Sequence, residues 1–266
     1  MFFKSKKKCV CCSNGTIMYE PGAEVGFCDC CNVMQTLQQP DDDRRDSGSD
    51  KAGPDAVLSA DTASSVEQIA LCLNRKADSL TFGKYIQKPD GEPEPIEWQV
   101  LTRKKDCILV LSRYALDCRQ YNEEHHAAWD TCTLRSLLNG EFLDFAFSEE
   151  EKALIPPVFV SASDNPKYDT DPGDHTKDRV FLLSVGEVGK YLGPDSDPCR
   201  GTVYCNYVLG RRASNDVRGC PWWLRTPGTD SWHAAYVGND GDLEIYGNPV
   251  YDDMAVRPAM WLTLKS

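Results

Sequence analysis

Basic charge is scarce in this chain: Lys and Arg number 29 against 41 Asp and Glu, and the net charge is -12. That balance excludes a broad cationic face able to displace phosphate counterions, and with it a nucleic-acid partner for the main body. Long apolar runs are missing as well. No segment is long enough to cross a bilayer, so no membrane role is expected. The only basic run, residues 4–8, follows Met1-Phe2-Phe3 but leads into no apolar stretch. It therefore does not read as a secretory signal, and the expected setting is cytoplasmic. Internal repeats are lacking too. Cysteine is plentiful at 13, yet the odd count and the missing signal argue against a secreted disulfide scaffold. Six cysteines fall between Cys9 and Cys31, and the other seven are scattered from Cys72 to Cys220. The scattered set is expected to be reduced thiols acting as small buried hydrophobes.

Composition divides the chain into three regions. Residues 1–38 are rich in cysteine, and residues 39–64 are rich in Asp, Ser, Gly, Pro and Ala with hardly an aliphatic side chain. The second region buries too little to offset chain entropy and reads as a disordered acidic linker. Residues 65–266 carry the apolar density of an α+β domain with short irregular strands and two or three helices. A short helix is expected around Val66, Ile69 and Leu73, then a strand over residues 80–86. The alternation in residues 96–101 and the apolar run 107–112 predict an antiparallel pair. Thr131 to Leu138 has helical periodicity and stops at Asn139-Gly140. Ser148 with Glu151 has capping-box spacing before a second helix through Ile155, and Ser184 with Glu187 before a helical turn with Val188, Tyr191 and Leu192. Past the second of these, only loops and short strands are expected. The acidic, proline-broken stretch 164–178 reads as a surface loop.

Cys9-x-x-Cys12, fifteen intervening residues, then Cys28-x-x-Cys31 has the spacing of a four-thiolate zinc ribbon, because each pair forms a knuckle offering two sulfurs to one tetrahedral ion. Zinc would hold together a module too small to fold alone. Cys11 and Cys30 sit beside these ligands and leave the register ambiguous. A redox-active cluster, or a tail with chance cysteines, is the plainer alternative.

Near the carboxy terminus, Trp222-Trp223-Leu224-Arg225-Thr226-Pro227-Gly228 and Val256-Arg257-Pro258-Ala259-Met260-Trp261-Leu262 bracket a polar segment studded with aromatics. Between them, Gly238-Asn239-Asp240-Gly241 predicts a hairpin with both Asp240 and Gly241 at positive φ. A strand after it should bury Leu243, Ile245 and Gly247 and expose Asp242, Glu244, Tyr246 and Asn248. The brackets read as a buried frame, with indole nitrogens finding partners and Arg225 and Arg257 bracing loop carbonyls. The segment between reads as a ligand surface. Its aromatic anchors would be Trp232, His233, Tyr236, Tyr246 and Tyr251, and its polar contacts Asp230, Asn239, Asp242, Glu244, Asn248 and Asp252. Aromatic area combined with adaptable hydrogen-bonding groups is the composition of antibody-like paratopes, so a protein ligand is expected, with carbohydrate as the second class.

Phe82-Gly83-Lys84-Tyr85, residues 89–98, Leu134-Arg135-Ser136-Leu137-Leu138-Asn139, Phe181-Leu182-Leu183-Ser184 and both carboxy-terminal blocks resemble a bacterial domain family of unknown function. That family is similar to the C-type-lectin fold in its formylglycine-generating-enzyme-like branch, and some proteins of this fold are the variable proteins of diversity-generating retroelements. The resemblance implies a display protein without catalysis, rewritten at ligand-facing positions. It also supplies a rival, a copper oxidase using two thiolates, for which Cys199 and Cys205 are the nearest pair although their spacing departs from that family's. A structural or scaffold role is the third reading. Asn239-Asp240 resembles the Asn-Asp pair of calcium-binding lectins, but Gly238 stands where Trp is expected. Asp169, Asp171 and Asp174 resemble a calcium loop whose closing Glu is replaced by Val180. His125-His126 is expected in a loop, its rings diverging.

Overall fold

A computed structural model describes residues 60–89, 91–193, 198–210 and 219–264, with backbone alone for residues 60–63 and for four amino-terminal strands. Those strands are β1 (Phe3–Lys8), β2 (Thr16–Tyr19), β3 (Val25–Cys28) and β4 (Met34–Thr36), paired in that order as an antiparallel sheet. Cys9, Cys12 and Cys31, and the side chain of Cys28, lie outside the described residues, as does the linker up to residue 59. Helix α1 (Ala60–Leu73) begins within the stretch read as linker and seats Ile69 and Cys72 in the core.

The body has two five-stranded sheets. The first runs β11 (Val180–Phe181), β16 (Ala259–Thr263), β7 (Cys107–Ser112), β6 (Glu94–Arg103), β5 (Ser79–Tyr85), all antiparallel. Every side chain of β7 and β16 is buried, as expected of apolar runs at the centre of a sheet. The second runs β14 (Leu243–Pro249), β13 (His233–Val237), β12 (Trp222–Pro227), β15 (Asp253–Val256), β8 (Asp117–Gln120), with β12 and β15 parallel. A small pair, β9 (Val158–Val160) and β10 (Thr176–Asp178), stands apart.

The capping chemistry read from sequence is present. Both capping boxes form, at α4 (Glu149–Ala153) and α5 (Val185–Tyr191). Glu151 does more than cap, since its carboxylate also accepts from the Ser65 hydroxyl and the Gly83 N–H, tying α4 to α1 and β5. Gly83 is at φ +66°, where a Cβ would meet the Phe147 ring at 2.4 Å. Helix α2 (Thr133–Asn139) ends at Gly140, where α3 (Glu141–Ala146) starts. Six helices rather than two or three occur among the described residues, and two of them were not foreseen: α3, and α6 (Val203–Val208), the latter capped by the Thr202 hydroxyl and packed on β8. The apolar positions of α6 do not follow a core-facing stripe, because Val203, Tyr207 and Val208 are exposed, so periodicity gave no signal. All seven scattered cysteines are buried, with no disulfide among the described residues, and burial pushes the Cys118 and Cys132 thiols up to about 12.

Candidate functional site

The bracketing blocks are a frame. Trp222, Trp223 and Trp261 are buried, and the Trp223 indole N–H donates to the Arg119 carbonyl at 2.9 Å. Arg225 donates to the Leu182 carbonyl at 2.8 Å and pairs with Glu187, while Arg257 donates to the Ser112 carbonyl at 2.9 Å and lies over the Trp222 ring. Burial works to raise the Glu187 carboxyl, but the Arg225 guanidinium and the Ser184 cap donors outweigh it and hold it below the ordinary range.

From this frame projects the β13–β14 hairpin, with two departures from expectation. Only Gly241 is at positive φ, +95°; Asp240 is not, and its carboxylate instead accepts from the Asp242 N–H at 3.2 Å. Gly241 donates to the Gly238 carbonyl and Gly238 to that of Asp242, so a turn closed by one left-handed glycine replaces the mirror-image turn. Leu243 is 36% exposed and Ile245 and Gly247 are only half-buried, because β14 is the edge strand of its sheet and little covers it.

The candidate ligand residues fall into two groups. Near the turn, Tyr236 stands directly opposite Glu244, with Asn239 and Asp242 exposed beyond them. Burial, and then the charges of Glu244 and Asp240, push the Tyr236 hydroxyl up. At the other end of the hairpin, Tyr246, His233, Trp232 and Tyr251 join residues the sequence reading had set aside. Tyr246 makes edge contacts with Tyr168 (6.0 Å between centroids) and His233 (5.8 Å). His125 stacks on Trp232 at 5.2 Å and meets Tyr251 edge-on at 5.0 Å, while His126 meets Trp232 edge-on at 4.6 Å. Asp230 joins the halves: it accepts from the Trp232 N–H at 2.9 Å and from His233 Nδ1 at 2.7 Å. Desolvation opposes its charge, but these donors prevail and keep the carboxyl below its usual range. Asp230 thus shapes the loop rather than standing free, and Asn248, bonded to Asp252 at 2.9 Å, likewise ties the chain between β14 and β15.

The result is a strip of two ring clusters, Tyr168–Tyr246–His233 and His125–His126–Trp232–Tyr251, joined through Asp230, in which Trp232 is 42%, Tyr246 57% and Tyr251 38% exposed. Two buried asparagines position the flanking loops. Asn165 donates to the carbonyls of Pro227 and Ile245 and accepts from the N–H groups of Lys167 and Tyr168, which sets Tyr168 beside Tyr246. Asn122 donates to the carbonyls of Glu124 and His126 and accepts from Thr133 N–H, holding both histidines at Trp232. An asparagine that will be buried looks like any loop asparagine in sequence, so neither was legible.

Among the described residues no group of three or more His, Cys, Asp or Glu is arranged to hold a metal ion. The Cys205 thiol is in hydrogen-bond contact with that of Cys220, and this contact, with burial, pushes it up strongly; burial also raises Cys199. Among the described residues no helix is long and apolar enough to cross a membrane. A family model described as a domain of unknown function (DUF6273) matches residues 105–264, from just before β7 to the end of β16. The span omits β5 and β6, which complete the sheet of β7 and β16. No curated protein and no solved structure matches the chain.

Proposed function

We propose that this chain, which belongs to the DUF6273 family and takes no activity from that description, is a non-catalytic display protein whose carboxy-terminal hairpin binds a protein ligand. The observation that carries the reading is the exposed ring strip mounted on a buried tryptophan frame. Large rigid rings supply contact area at small entropic cost, and Asp242 and Glu244 beyond them tune specificity. On this reading the body is a C-type-lectin-like domain, and the hairpin is the segment a diversity-generating retroelement rewrites. An amino-terminal ribbon holding structural zinc through Cys9, Cys12, Cys28 and Cys31 accompanies it. Strand register supports that ribbon: Lys8 pairs with Thr16 and Ile17 with Cys28, which brings the approach to Cys9 and the start of the second knuckle to one end of the sheet.

The test is a library randomised at Trp232, Asp242, Glu244, Tyr246 and Tyr251 and selected on an immobilised protein bait such as lysozyme. Binders that melt like the parent chain are expected. If most substitutions at these positions unfold the body, the rings are structural and the display reading fails.

A further inference from the structure

A groove adjoins the Tyr251 end of the ring strip, where α2 and α3 face β8; Gln120, in its wall, donates to the Tyr251 carbonyl at 2.6 Å. One hollow of about 470 Å³ is lined by Arg119, Glu123, Glu141 and Asp253 among others. A second, of about 600 Å³, is walled by Tyr85, Phe142, Phe145 and Tyr204. The two share Arg119, Leu137 and Glu141. Their charges do not cancel. Arg119 is engaged by the buried carboxylate of Asp117 at 3.0 Å, and Asp144 by Lys152 at 2.7 Å. Glu123, Glu141 and Asp253 have no cation within ion-pair distance among the described residues, so the first hollow presents uncompensated negative charge in a concave wall, where the field is focused.

The second hollow presents rings. Tyr85 packs against Phe142 at 5.2 Å and edge-on to Phe145 at 5.6 Å, yet Phe145 remains 55% exposed. Helix α3 buries Phe142, Leu143 and Ala146, so Phe145, held only at its edge by Tyr85, is a large apolar side chain that the fold leaves mostly uncovered. The apolar surface continues onto α6, whose Tyr204 walls the hollow and whose Val203 and Tyr207 are exposed.

From this juxtaposition we infer a peptide-binding groove for a partner segment that carries lysine or arginine beside a bulky apolar side chain. The cation enters among Glu123, Glu141 and Asp253, and the apolar side chain lies against Tyr85 and Phe145. Charge complementarity selects the cation, and the spread of apolar surface from α3 to α6 suits an extended chain rather than a compact molecule. Cation–π contact with the adjoining rings adds to the preference for a positive charge.

Three fluorescein-labelled hexapeptides test this on the full chain by anisotropy: Gly-Lys-Lys-Phe-Leu-Gly, its Glu-Glu counterpart, and a version with Ala in place of Phe and Leu. The first should bind at least about tenfold tighter than either control, and lose about tenfold with Glu141→Lys plus Asp253→Lys or with Phe145→Ala. Raising salt to about 0.5 M should weaken it further, since screening then acts over a few Å. All three side chains are exposed, so unchanged melting curves should accompany the loss. Trp232→Ala, in the ring strip, should leave this affinity alone, which separates the groove from the display surface. No binding of the lysine peptide, equal binding of the glutamate peptide, or indifference to the groove substitutions would overturn the inference. So would phenethylamine binding as tightly as the peptide, which would make the occupant a small amine.

Discussion

Trp223→Ala and Tyr246→Ala form a matched pair, because both remove a ring from the same sheet while only one ring belongs to the frame. Trp223 is 0% exposed, meets Tyr121 edge-on at 5.6 Å and donates to the Arg119 carbonyl. Truncating a buried tryptophan costs about 3–5 kcal/mol. The orphaned carbonyl of Arg119 adds about 1 kcal/mol unless water reaches it. A loss of about 4–6 kcal/mol lowers Tm by about 8–24 °C for a body of this size. Tyr246 gives up only edge contacts with Tyr168 and His233 and is mostly in solvent. Its loss should stay under about 1 kcal/mol, or about 4 °C. Near-ultraviolet circular dichroism against temperature, repeated with urea to compare midpoints, reads both. Equal shifts for the two variants would refute the division into frame and display, and a stable Trp223→Ala would show that the core does not rest on the Trp223 ring.

Further outcomes concern charge and metal. Because Glu187 is held below the ordinary carboxylate value of 4.5, the stability it contributes is fully present above that pH and is lost as pH falls through its lower folded value. Glu187→Gln should therefore cost about 1.5–3 kcal/mol at neutral pH, the range for a hydrogen bond to a charged group, since the Glu187 side chain is 22% exposed, and should flatten the acid limb of a Tm-against-pH curve. An unchanged acid limb would remove the Arg225–Glu187 pair as its cause. Elemental analysis of purified chain should find about one zinc ion per molecule, lost on Cys28→Ser, with the melting of the body unaltered. Stoichiometric retention of zinc by that variant would exclude the four-thiolate site.

Local chemistry was legible in the sequence. Ser148 with Glu151 and Ser184 with Glu187 form the caps their spacing implied, since a capping box closes within four residues and needs nothing from the rest of the fold. The β6–β7 pair and the buried tryptophan blocks followed from alternation and apolar density, which are also local. Burial of the scattered cysteines followed from the chemistry of a reduced thiol. Three things needed the tertiary structure. Exposure of Leu243 depends on β14 being an edge strand, which is a matter of strand order. The ring strip joins His125 and His126 to Trp232, and Tyr168 to Tyr246, across long stretches of chain, and buried Asn122 and Asn165 set those approaches through carbonyls elsewhere in the chain. The groove combines β8, α2, α3 and α6, and its unbalanced charge depends on which carboxylates found a cation. Periodicity and capping act over a few residues and are written in order along the chain. Edges, ring contacts and charge balance depend on which distant segments meet, and packing alone decides that.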